Sequence, residues 1–184
     1  MKRVITVIIM LLIVAGLAGC GAAPIKPVAG PNSSAAYGNI TLPDNKVITR
    51  VILYKVGEVY APPFKSPPQS HTYMNGNFFF ENLTPGKYFL ASFMSGNVVF
   101  YFNYQGLKEK DFLKKVAINI KPGTVNYLGS YRVTGITENF FKSNTFKIQR
   151  SKKPTPKSIL KHLIKATKDT GWDKRFAKAM KKAR

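Results

Sequence analysis

The sequence predicts a mainly β protein, an antiparallel β-sandwich of about seven or eight strands followed by a C-terminal basic helical hairpin. Three observations lead there. From Tyr37 to Arg150 the chain is a succession of short runs rich in Val, Ile, Phe and Tyr, which suit a pleated, half-buried surface. The runs are broken by turn chemistry at Pro43-Asp44-Asn45, Pro85-Gly86, Ser95-Gly96-Asn97 and Pro122-Gly123, with no long helical period between them. After Arg150 the apolar residues recur at helical spacing in two successive stretches.

The first 19 residues read as a secretory signal peptide. Met1-Lys2-Arg3 is a positive start, Val4 to Val14 an apolar run, and Ala15 to Gly19 a set of small residues ahead of Cys20. The run is shorter than the roughly 20 residues that a spanning helix needs. Cys20 is the sole cysteine, which excludes an internal disulfide and every zinc or iron–sulfur pattern built on several thiolates. Leu17-Ala18-Gly19-Cys20 resembles the lipobox of bacterial lipoproteins. That resemblance implies cleavage before Cys20 and a diacylglyceryl thioether on its sulfur. Gly21 stands where an Asp is associated with inner-membrane retention, so the resemblance implies the periplasmic face of an outer membrane. In a Gram-positive cell it implies the outer face of the plasma membrane.

Residues 20–36 then read as the lipidated Cys and a flexible tether. The segment is made of small residues, Ser and Pro without hydrophobic period, and fully extended would reach about 50 Å. The sandwich is expected over 37–150. "YGNITL" and "VITRVILYKV" are strand-like, and a proline-loaded loop, "APPFKSPPQS", separates them from "GNFFFENLTPGKYFLASFM". There the alternation puts Phe78 and Phe80 on one face and Phe79 and Glu81 on the other, while Tyr88, Leu90 and Ser92 oppose Phe89, Ala91 and Phe93. Pro85 and Gly86 should make the join tight. "VVFYFNY", "VAINI", "NYLGSYRV" and "TFKIQR" supply the later strands, with a short helical turn expected in "YQGLKEKDFLKK".

Gly76, Phe78, Phe80, Asn82, Leu83, Pro85, Gly86, Tyr88 and Leu90 together resemble the motif of the carboxypeptidase regulatory-like and transthyretin-like β-sandwiches. The resemblance implies a seven-stranded or eight-stranded sandwich that serves as a structural or binding module, usually without catalysis.

Residues 151–184 are the basic tail, with a net charge of +10 from Lys152 to Arg184. Ser158 is the expected N-cap of a first helix, Gly171 its stop, and Asp173 a cap for a second. Ile159, Leu160, Leu163 and Ile164 form one apolar face, and Trp172, Phe176, Ala179, Met180 and Ala183 another. Two readings stand side by side. Either the hairpin packs on the sandwich with its lysines solvated, or it docks on a membrane surface or partner through Lys161, Lys165, Lys168, Trp172, Lys174, Arg175, Phe176 and Lys178.

The whole chain has 29 Lys+Arg against 8 Asp+Glu, a formal +21. Such a surface attracts polyanions, and export leaves membranes, envelope proteins and anionic glycans as expected partners rather than nucleic acid. His71 and His162 are the only histidines, so no metal or cofactor is expected. Tyr101 (beside Asn103), Tyr127 and Tyr131 are candidate stacking platforms for glycan rings. The expected function is that of a lipid-anchored envelope lipoprotein acting as a non-enzymatic binding or structural module. Two alternatives stand beside it. One is an envelope hydrolase or glycan-processing enzyme whose scattered carboxylates meet in space. The other is a scaffold subunit of an envelope assembly.

Overall fold

The computed structural model describes residues 24–61, 64–104, 108–139 and 143–183. Cys20 and the segment expected to be a signal peptide lie outside the described residues. Within them the order is β1 (Ser34–Thr41), β2 (Arg50–Lys55), β3 (His71–Thr72), β4 (Asn77–Leu83), β5 (Gly86–Ser95), β6 (Val98–Tyr101), α1 (Glu109–Lys115), β7 (Ile118–Ile120), β8 (Val125–Thr137), β9 (Thr145–Ser151), α2 (Pro156–Ala166) and α3 (Trp172–Lys182). The protein is mainly β. Five strands form one sheet in the order β3-β4-β1-β8-β9, and a second sheet runs β2-β5-β6, with β7 also paired to β5.

The two sheets face a common core. The first sheet contributes Ile40, Phe78, Phe80, Leu128 and Val133, and the second contributes Val51, Leu53, Leu90, Phe93, Phe100 and Ile120. The pairing departs from the sequence expectation in one respect: β1 lies parallel to β8, with Tyr37 opposite Tyr127 and Ile40 opposite Tyr131. β1 is inserted between β4 and β8 as a central strand, and a long excursion through the second sheet separates it from its parallel neighbour.

β4 is buried on both faces, and its alternation explains how. Phe78 and Phe80 point between the sheets, whereas Phe79 points outward into a second core under the helices. The join after β4 crosses from one sheet to the other instead of closing a hairpin. There the Tyr88 hydroxyl donates to the Thr84 carbonyl at 2.9 Å, the geometry of a tyrosine corner. The alternation expected along β5 breaks at Ala91. Ile52 pairs with Ser92 but Leu53 with Leu90, and this bulge brings Phe93 to the same buried side as Tyr88 and Leu90.

The domain boundary also moves. Ser34, Ala35 and Ala36 are fully buried in β1, so the ordered domain begins before Tyr37. Pro24 to Ser33 is docked rather than a free tether. Ile25 and Val28 pack into the second core. The Lys26 amide donates to Glu81 Oε2 at 2.8 Å, Ala29 N–H to Asn82 Oδ1 at 2.9 Å and Val28 N–H to Thr170 O at 3.2 Å. These ten residues form a strap across the molecule.

Candidate functional site

The tail hairpin is positioned by its caps and its apolar face. Thr155, not Ser158, is the N-cap of α2; its hydroxyl accepts from the Ser158 amide at 3.2 Å, with Pro156 opening the helix. Pro156 cannot donate, so the cap falls one residue ahead of it, where an extended backbone is already imposed. Gly171, at φ 83°, stands immediately ahead of α3 instead of ending α2, and Asp173 lies in the first turn of α3 without capping it. Ile159, Leu160, Leu163, Trp172 and Phe176 close over Ala35, Tyr37 and Phe79 to make the second core.

This packing divides the eight tail residues singled out by the sequence. Trp172 and Phe176 are fully buried, which assigns them to the fold and removes them from any contact surface. Trp172 Nε1–H donates to the Lys26 carbonyl at 3.1 Å. Arg175 is likewise structural, because its guanidinium donates to the carbonyls of Ser33, Gly30 and Pro31 and lies over the Trp172 ring. Lys161, Lys165, Lys168, Lys174 and Lys178 remain exposed, and none meets a carboxylate among the described residues.

The three tyrosines are also divided. Tyr127 and Tyr131 do not form one platform. The register slips after Tyr37, so that Gly38 pairs with Gly129 and Leu128 has no partner on β1. Gly129 takes φ +122°, a conformation that side chains rarely adopt. This bulge leaves Tyr127 on the helix side, against Tyr37 at 5.3 Å, and turns Tyr131 onto the core between the sheets. Tyr101, 63 % exposed, stands apart from both at a cleft of about 870 Å³ with Phe102, Tyr104, Asn144 and Phe146.

What the fold does bring together is Tyr127 and Lys178. They line an open groove of about 720 Å³ between α3 and the start of β8, with Lys182, Ala179, Ala183, Thr124 and Pro31. The Tyr127 ring is held in place, its hydroxyl donating to Ser130 Oγ at 2.8 Å while the Ser130 hydroxyl donates to Pro154 O at 2.6 Å. Burial, and then the neighbouring Tyr127, pushes the Tyr37 phenol above its ordinary range, so that phenol stays neutral. Lys178 and Lys182 are one helical turn apart on the facing wall. Ala179 and Ala183 leave the space between. Lys182 and Tyr37 are among the groove residues that the sequence reading missed; the four-residue step from Lys178 was the available signal for the first.

Glu58 and Glu81 line one cleft of about 380 Å³, where Lys65 and Lys55 each lie 3.2 Å from Glu58. Hydrogen bonding to Lys65 and then Lys55 holds Glu58 below the usual carboxylate range, the opposite of what a proton donor requires. Glu81 receives His71 at 3.4 Å and the Lys26 amide. Among the described residues no three His, Asp or Glu side chains gather as metal ligands, and no helix is long and apolar enough to cross a membrane.

No family model matches this chain, and no curated protein is significantly similar to it in sequence.

Proposed function

We propose that this protein is a lipid-anchored lipoprotein of the bacterial cell envelope, acylated at Cys20, whose β domain is a non-enzymatic binding module of the transthyretin-like or carboxypeptidase regulatory-like type. The leader and Leu17-Ala18-Gly19-Cys20 support the anchor. The crossover after β4 and its tyrosine corner, formed by the same residues that carry the resemblance, support the domain type.

The docked strap is the observation that carries the reading. Cys20 is four residues ahead of Pro24, a reach of about 14 Å at full extension. With Pro24 to Ser33 fastened to the domain, acyl chains at Cys20 would hold the fold against the bilayer instead of at the end of a long tether. The groove of Tyr127, Lys178 and Lys182 suits an anionic ligand with a flat ring face, such as an acidic saccharide, and the exposed tail lysines suit a membrane surface or an acidic partner.

The test is fractionation of cells expressing the full chain, with mass measurement of the N-terminal peptide. The expected product begins at Cys20, carries acyl chains and enters the detergent phase, while Cys20→Ser leaves an unprocessed chain. A mature chain without acyl groups, recovered in the aqueous phase, would overturn the reading.

A further inference from the structure

We infer that the loop between β2 and β3 is a second membrane contact, with Phe64 entering the lipid interface beside the acyl anchor. The inference rests on the lipoprotein reading and adds the orientation of the domain. Phe64 is 94 % exposed and Val59, in the same loop, 82 %. Water-exposed Phe at that level is unfavourable unless something covers it.

The described residues at the base of the loop are tied to one another and to β2. The Ala61 amide donates to Lys65 O at 3.1 Å, and the Lys65 amide donates back to Ala61 O at 3.0 Å. Glu58 bridges Lys55 and Lys65, and the Tyr60 ring lies 4.9 Å from that of Tyr54 on β2. At the base of the loop the Leu53 amide donates to Pro68 O at 3.1 Å.

Its position singles out the occupant. Lys26 of the strap and Tyr60, Lys65 and Pro67 of the loop line the same cleft, together with Glu58 and Glu81, so the first described residues after Cys20 lie next to the loop. Lys87, whose carbonyl accepts from Val56 at 2.9 Å, adds another exposed cation at this end. Isolated apolar side chains among lysines fit a lipid headgroup boundary. A protein partner would need a contiguous surface on the order of 1,000 Å², which a lone Phe and Val do not provide.

The experiment uses the full, processed chain reconstituted in vesicles of phosphatidylethanolamine and phosphatidylglycerol, with and without brominated acyl chains. Phe64→Trp places a reporter at the tip, and the native Trp172, buried in the second core, supplies the background. Met74→Trp is the control. Met74 is 87 % exposed but lies beyond the other end of β4, roughly 20 Å from the loop end. Bromination is expected to cut the Phe64→Trp signal on the order of twofold relative to the parent and to leave Met74→Trp unchanged. An acylated chain with no quenching at position 64, or with equal quenching at position 74, overturns the loop contact while the anchor reading stands. Disulfide formation between copies of a Phe64→Cys chain, whose other cysteine is acylated, together with no quenching of Phe64→Trp, likewise overturns it in favour of self-association. A chain that carries no acyl group and stays in the aqueous phase fails the anchor reading itself, and the loop contact with it.

Discussion

Trp172 shows how one residue can be read two ways until its partners are known. On a basic amphipathic helix an indole suits a lipid interface, yet here it is fully buried and its N–H is consumed by the Lys26 carbonyl. Trp172→Phe, which keeps most of the volume and loses that bond, should lower unfolding stability by about 1 kcal/mol in urea titrations. Hydrogen exchange of the strap should rise at the same time. Gly38 tests packing of another kind: a Cβ there would come 2.7 Å from both Gly129 O and the Phe78 ring, so Gly38→Ala should cost about 1–3 kcal/mol. His162 gives a pH signature. Its ring meets the edge of Tyr73 at 4.7 Å, and burial pushes the imidazole below its ordinary range. The unfolded chain therefore takes the proton first. Stability is full above the unfolded-state value, near ~6.5, and is lost as pH falls through the lowered folded-state value. His162→Phe should flatten that loss in denaturation midpoints measured from about pH 7 down to pH 5.

Among the elements, α2 and α3 hold their place by burial more than by helix propensity, since each is only 11 residues long. Thr155 makes the one side-chain cap on the hairpin, and Thr155→Ala should cost about 1 kcal/mol, read as a lower melting temperature of the whole domain. Thr155→Ser should restore it. The strands were legible where alternation is strict: β4 divides its phenylalanines between two cores as the period of two requires. They were misread where a bulge intervenes. Nothing in "KYFLASF" marks Ala91 as the slip, and Gly129 signals the Tyr127–Tyr131 break only once β1 is known to lie beside it. The helix starts were misplaced by the same kind of competition, because Ser158 and Thr155 offer identical cap chemistry and only Pro156 between them decides.

For the molecule as a whole, the two cores make the basic hairpin part of the domain. Ala35, Tyr37 and Phe79 are covered by α2 and α3. A chain ending at Arg150 should therefore expose that apolar face and aggregate or bind a hydrophobic dye, which light scattering and dye fluorescence would show; a soluble, cooperative truncated domain would contradict the two-core account. With the hairpin's apolar faces spent internally, attraction to anionic surfaces falls to lysines alone, and such attraction weakens steeply with salt.

The charge excess, the lone cysteine, the β class and the existence of a basic helical pair were all readable from residue order, because each depends on composition or on a local period. Tertiary structure alone decided that β1 lies parallel to β8, that Pro24 to Ser33 is a strap and not a tether, and that Tyr127 joins Lys178 and Lys182 while Tyr131 turns away. These are long-range pairings. A Pro- and Ser-rich segment carries no pattern of its own and is ordered by partners distant in sequence: Glu81 and Asn82 accept from its amides, and Trp172 and Arg175, more than a hundred residues later, donate to its carbonyls.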